Sequence, residues 1–346
     1  MVAQIRQSCL AISLSLLVVG CSSATTSSTQ PASTQDTPPQ SRENILVDGS
    51  STVFPITSAV AEAYAAGAKT PVEVEVSFSG TGGGFSKFCA GETDISNASR
   101  PISSEEIAAC DAAGIRFYEL PIAFDALTVV VNPQNTWAND ITIAELKAMW
   151  EPAAQQTVTS WNQIRPEWPD QPLNLFGPGL DSGTYDYFSE VVVEGSTRSD
   201  FVASEDDDIL ARGVASMPSA LGYFGLAYYE ANQNELKALP VDSGSGPVEP
   251  TAANVVQATY HPLARPLFIY VNFEAARANP ALREFVEFYL ANAPELVKEV
   301  GYIPLTEEGY HIAGVNFDQG DTGTAFDGKP QPDLTIGELL RKTKRF

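Results

Sequence analysis

Ile45-Leu46-Val47-Asp48-Gly49-Ser50-Ser51-Thr52-Val53-Phe54-Pro55 passes from a short β-rich run, ending at Asp48, through a glycine that permits a tight turn, into a helix opened by Thr52. The helical pattern continues over Phe54 to Ala66, a second β-rich run covers Val72 to Phe78, and a second helix covers Gly83 to Ala90. This βαβα order predicts an α/β fold with ligand sites at the carboxyl ends of the strands. Ser103 with Glu106, and Thr142 with Glu145 ahead of Ile143 to Trp150, are capping boxes that predict two more helices.

Two strongly apolar strands, Ala126 to Val131 and Pro266 to Val271, bracket about 140 residues. That spacing is expected when the chain crosses into a second lobe and later returns. The boundaries that follow are 44–128 with 266–346 for the first lobe and 129–265 for the second. Past the return, Ala281 to Leu290, Pro294 to Val300 and Thr306 to Ala313 read as helices. Phe317 to Pro332 reads as a surface excursion, and Thr335 to Lys342 as a last helix.

The chain has 346 residues, 44% hydrophobic and 18% charged, enough for a sizeable core. Its formal net charge of -23 argues against nucleic acid as a partner, because no basic stripe exists to replace phosphate counterions. Near the start, Arg6 precedes an apolar stretch from Leu10 to Val19 that is too short for an ordinary membrane span. Leu17-Val18-Val19-Gly20-Cys21 then resembles a bacterial lipobox, which implies a signal peptide over 1–20 and acylation of Cys21. Residues 21–43, rich in Ser, Thr, Gln and Pro, read as a flexible tether. The localisation expected is the cell envelope, periplasmic or on the outer face of the cytoplasmic membrane and lipid-anchored. Cys89 and Cys110 then remain as natural disulfide partners in an exported domain, closing a loop of about 20 residues worth roughly 3 kcal/mol. A metal site is the alternative for these two, but it lacks a CxxC or a nearby His.

Three Gly, Ser and Thr runs stand where strands give way to helices. They are Gly49 to Pro55, Ser79-Gly80-Thr81-Gly82-Gly83-Gly84, and Asp181-Ser182-Gly183-Thr184. Hydroxyls and glycines at helix starts offer side-chain O–H and backbone N–H donors where the helix dipole favours negative charge. A bare N-cap needs one hydroxyl, and close strand-to-helix packing is the other reading of the four glycines. The second run is no Walker loop, since Gly-Lys-Ser/Thr is missing. The third superficially matches a hydrolase nucleophile at Ser182, but only His261 and His311 are available as bases and neither has catalytic context. Arg100 in Ala98-Ser99-Arg100-Pro101 follows a strand and is suited to a bidentate grip on an oxyanion. Its other reading is a surface pair with Glu105 or Glu106.

In order and spacing, Gly49 to Pro55, Ser79 to Phe85, Ala98 to Pro101 and Asp181 to Thr184 resemble the PstS-type phosphate-binding proteins of bacterial ABC importers. The likeness covers the chain from about residue 44. It implies a class II periplasmic-binding-protein fold, two α/β lobes joined by a two-strand hinge with phosphate in the cleft. It also implies a binding protein rather than an enzyme, a monomer with no cofactor or metal, delivering inorganic phosphate to a membrane permease by lobe closure near Val130 and Leu267. Carried over by position, Ser51, Thr52 and the Val53 backbone form one wall, Ser79 and Thr81 a second, and Ser182, Gly183 and Thr184 close from the other lobe. The better-studied branch has an arginine where Pro178 stands and an aspartate near Arg100, so the resemblance moves the cation to Arg100, as in the branch with Ala-Ser-Arg-Pro. Asp181 is then the expected acceptor of the phosphate proton, which sulfate lacks. The alternatives are a binder of another tetrahedral oxyanion, sulfate or molybdate, and an envelope hydrolase using Ser182.

Overall fold

The computed structural model describes residues 44–67, 72–180, 182–204, 206–326, 328–329 and 335–342. The expected signal peptide, Cys21, the tether and Asp181 lie outside the described residues. Strands β1 (Ile45–Gly49), β2 (Val74–Val76) and β3 (Ile95–Ala98) pair in parallel in the order β2-β1-β3, linked by helices α1 (Phe54–Gly67) and α2 (Gly80–Cys89). Helix α3 (Ser104–Ala112) follows, then β4 (Phe117–Val131) and α4 (Ile143–Trp150). Both expected capping boxes form, at Ser103 with Glu106 and at Thr142 with Glu145.

β4 is the strand on which both halves of the sheet are built. Its first part pairs antiparallel with the strand Ala264–Asn272, which in turn pairs antiparallel with β3. From Leu127 onward β4 pairs with Ala220–Gly225 instead, and that strand pairs in parallel with Asn174–Gly177 on its other side. The exchange of partners falls between Ala126 and Leu127, opposite Ala264, rather than near Val130 and Leu267. Val130 is fully buried in the second half, opposite Gly222, and Leu267 pairs with Ala123 well inside the first.

All fifteen residues of β4 are buried, nine more than the apolar run Ala126 to Val131 suggests. Glu119 and Pro121 break the hydrophobic pattern, and tertiary contacts absorb both. Glu119 accepts hydrogen bonds from Tyr270 Oη (2.9 Å), Thr324 Oγ1 (2.6 Å) and the Ala325 amide (2.8 Å). Pro121 sits at a register shift opposite Leu267/Phe268, where an irregular ladder tolerates a missing N–H. Pro280–Glu299 likewise forms one helix through Pro294, where two were expected, because Phe285, Tyr289, Ala293 and Val297 hold a continuous buried face. Glu307–Gln319 is also helical, so the expected surface excursion starts later than Phe317.

The cysteine pair is joined as expected: Cys89, the last residue of α2, is bonded to Cys110 in α3. The bridge closes a loop of sequence separation 21 and ties the helix bearing the second glycine run to its neighbour. Replacing both cysteines by Ser is expected to lower unfolding stability by about 3 kcal/mol in urea titration while native circular dichroism is retained; an unchanged denaturation midpoint would show that the bridge does not constrain the chain.

Candidate functional site

The end of β1 is fixed by glycine. Gly49 has φ +137°, and a Cβ there would lie 2.1 Å from the Asn97 carbonyl oxygen, so no other residue lets β1 approach β3 this closely. The Ser50 amide donates to that same carbonyl (2.9 Å), and the Ser50 carbonyl accepts from the Phe54 amide (3.0 Å). Ser50 is therefore the cap of the first turn, two residues before the expected start at Thr52, and the amides of Ser51, Thr52 and Val53 are the turn's leading donors. The Val53 side chain is fully buried, which leaves only its backbone for a ligand.

The second run divides. Ser79 Oγ donates to Asp48 Oδ1 (2.7 Å) and so turns towards the body of the protein. Burial alone would raise the Asp48 carboxyl, but hydrogen bonds from Lys87, Ser79, Ser77 and the Gly49 amide outweigh it and hold Asp48 below the usual carboxylate range. Asp48 thus organises the strand end. Thr81 points the other way: its Oγ1 lies 3.0 Å from Ser99 Oγ and accepts from the Ser99 amide (3.2 Å). Ser50, Ser51, Thr52, Gly80, Thr81, Ser99 and Arg100 share one cavity of about 190 Å³, completed by Asp186, Glu190 and Arg265.

Arg265 is the cation the sequence reading overlooked. Its Nη2 donates to Thr52 Oγ1 (3.2 Å) and to the buried Asp125 Oδ2 (3.2 Å), its guanidinium stacks 3.7 Å from the Tyr187 ring centre, and Glu190 Oε2 lies 3.8 Å from Nη1. Burial pushes the Asp125 carboxyl up while Arg265 pulls it down. A signal was present: Asp125 and Arg265 each stand immediately before one of the two apolar strands, and the register pairs them directly.

Arg100 reaches the cavity but is gripped by Glu106 through two 2.8 Å bonds, one from each terminal nitrogen. This is the surface pairing the sequence left open, and it raises the Arg100 pKa. The third run contributes mainly by close approach. A Cβ on Gly183 would lie 2.3 Å from Thr52 Oγ1, so glycine lets the start of helix α5 (Gly183–Phe188) touch the first turn. Ser182 Oγ accepts from the Thr184 amide (3.2 Å), capping α5. Thr184 faces a different cavity, lined also by Asp125 and Asp207. Two residues on, Asp186 is the carboxylate of α5 on the site; partial desolvation raises its pKa, with Arg265 opposing and Glu190 reinforcing. Hydroxyls, leading amides and a braced guanidinium converge here on a volume suited to a small oxyanion.

A family model described as a PBP superfamily domain matches residues 27–293. The chain is 54% identical over 312 residues to Protein SphX of Synechocystis sp., covering 90% of this chain and 93% of the relative. It is 36% identical over 266 residues to the Phosphate-binding protein PstS of Staphylococcus saprophyticus, covering 76% and 81%. A crystal structure of a possible phosphate binding protein from Planctomyces limnophilus aligns with a TM-score of 0.75 at 44% identity, covering 80% of this chain and 98% of that one.

Arg265→Met leaves Asp125 buried without its cation, which is expected to cost about 3–5 kcal/mol. The folded-state pKa of Asp125 then rises further above its unfolded value of about 3.9. The stability that protonated Asp125 contributes is fully present below the unfolded value and lost as pH rises through the folded one. Urea unfolding at about pH 4.5 and about pH 7 should therefore show a smaller deficit, relative to wild type, at the lower pH; equal deficits would mean that Arg265 does not neutralise Asp125.

Proposed function

The chain belongs to the PBP superfamily and, within it, to the family of Protein SphX and the phosphate-binding protein PstS, and on that premise we propose that it captures inorganic phosphate outside the cytoplasm and delivers it to the permease of an ABC importer. It is a binding protein and not an enzyme. The observation that carries the choice of ligand is Arg265, seated beside Thr52 and braced by Asp125, facing the hydroxyls of Ser51, Thr81 and Ser99 across one small cavity.

In this reading Ser51, Thr52 and the Val53 amide hold phosphate from the first turn, and Thr81, with Ser99, from the start of α2. Arg265 supplies the neutralising fork. Arg100 is a second, weaker cation, since Glu106 already occupies its guanidinium. Ser79 supports Asp48 instead of the ligand, and Ser182, Gly183 and Thr184 act through the contact of Gly183 with Thr52, as the point where the second side closes over the first. Asp186 takes the duty first given to Asp181. A carboxylate there accepts the proton that phosphate carries near neutral pH and repels sulfate, which has none.

Closure joins a first lobe, about 44–128 with 266–346, to a second, 129–265, around β4 and Ala264–Asn272, where the two halves of the sheet already share a strand. Ligand shifts the open–closed equilibrium by its preference for the closed state. No helix among the described residues is long and apolar enough to cross a membrane. The proposed hold on the membrane is lipid on Cys21, with the protein acting as a monomer at the end of its tether.

Calorimetric titration with phosphate and sulfate should show strong preference for phosphate, and Asp186→Asn should narrow that preference by tenfold or more, a change of at least about 1.4 kcal/mol. Arg265→Lys keeps the charge beside Asp125 but removes the fork, and should weaken phosphate binding by about tenfold or more, a larger loss than Arg100→Ala causes. Unchanged affinity in Arg265→Lys would move the cation back to Arg100, and equal affinity of the wild type for both anions would sink the discrimination assigned to Asp186.

A further inference from the structure

A second cavity, of about 240 Å³, adjoins the anion site and is larger than it. The two share four lining residues, Ser99, Arg100, Glu190 and Arg265, so the guanidinium groups stand at the boundary with the polar cavity on one side. On the other side the lining turns apolar, with Phe124, Val191, Val255 and Pro262. The two tyrosine hydroxyls of this lining are engaged within the protein, Tyr187 Oη donating to the Pro262 carbonyl (2.6 Å) and Tyr260 Oη to the Leu127 carbonyl (2.9 Å), and His261 is the polar side chain of the far lining. What the cavity offers a ligand is therefore mainly apolar surface, bordered by Arg100, Arg265 and Glu190.

Inorganic phosphate uses none of that surface. An apolar cavity of about 150 Å³ suffices to bind benzene, so the space here accommodates a butyl or phenyl group. We propose that the site also takes organic phosphates and phosphonates, with the anionic head among Thr52, Thr81 and Arg265 and a short apolar substituent in the adjoining cavity. The proposal rests on the reading of the polar cavity as a phosphate site. Charge complementarity fixes the orientation, since the arginines lie at the head's end and the far lining carries apolar side chains that favour removal of a tail from water.

The test is calorimetry on the purified chain with inorganic phosphate, methylphosphonate, butylphosphonate and phenylphosphonate. Affinity is expected to rise from methyl- to butylphosphonate by about fourfold per added methylene, the ratio that corresponds to about 0.8 kcal/mol each. Val255→Phe and Val191→Phe, which fill the apolar cavity from two sides, should abolish that rise while leaving inorganic phosphate affinity unchanged, which also reports that each variant is folded. A flat or falling series with phosphate binding intact overturns the proposal, as does a rise that survives both filled variants. Absence of phosphate binding by the wild type brings down the reading of the site, and the proposal with it.

Discussion

The ion pair between Asp125 and Arg265 is the constraint on which the rest of the site depends. Both side chains are largely withdrawn from water, and the register of β4 against Ala264–Asn272 sets them directly opposite each other, one residue before β4 exchanges one partner strand for another. A buried charge without its partner costs several kcal/mol, so neither residue tolerates the other's loss. The same guanidinium lies against Tyr187 on one side and reaches Thr52 on the other. One side chain therefore links the shared strands, the helix-start hydroxyls and the α5 segment.

Around that pair the sequence devotes its glycines to close approach. Gly49 lets β1 meet Asn97, and Gly183 lets the α5 segment meet Thr52. Neither contact survives a Cβ. The hydroxyls that surround them separate by partner: Ser79 is held by Asp48, Ser182 caps α5, and Thr81 turns to Ser99 beside the cavity. Similar residues in similar local settings thus do different work according to which acceptor the fold places within reach.

The parts of the molecule legible from the chain are those whose physics is local. The βαβα order, both capping boxes, the helix Ile143–Trp150 and the Cys89–Cys110 bridge follow from periodicity, capping chemistry and cysteine count. The length of β4 was not legible, because Glu119 and Pro121 look like interruptions until Tyr270, Thr324 and a register shift in the neighbouring strand are known. Pro294 misled for the same reason, since a buried face some way along the helix carries it past a residue that locally argues for a stop.

At the site, sequence determined which short runs carry the donors, because helix starts and glycine turns are written in adjacent residues. It also marked Arg100, with its pairing to Glu106 left as an alternative. Only the tertiary structure decided that Arg100 is engaged by Glu106, that Ser79 faces away, and that Arg265 stands among the hydroxyls. Arg265 and Thr52 are 213 positions apart, and Arg265 and Asp125 are 140 apart. Their places just before the two apolar strands mark Asp125 and Arg265 as similar positions, but the meeting itself is made by the strand register that brings two distant segments side by side.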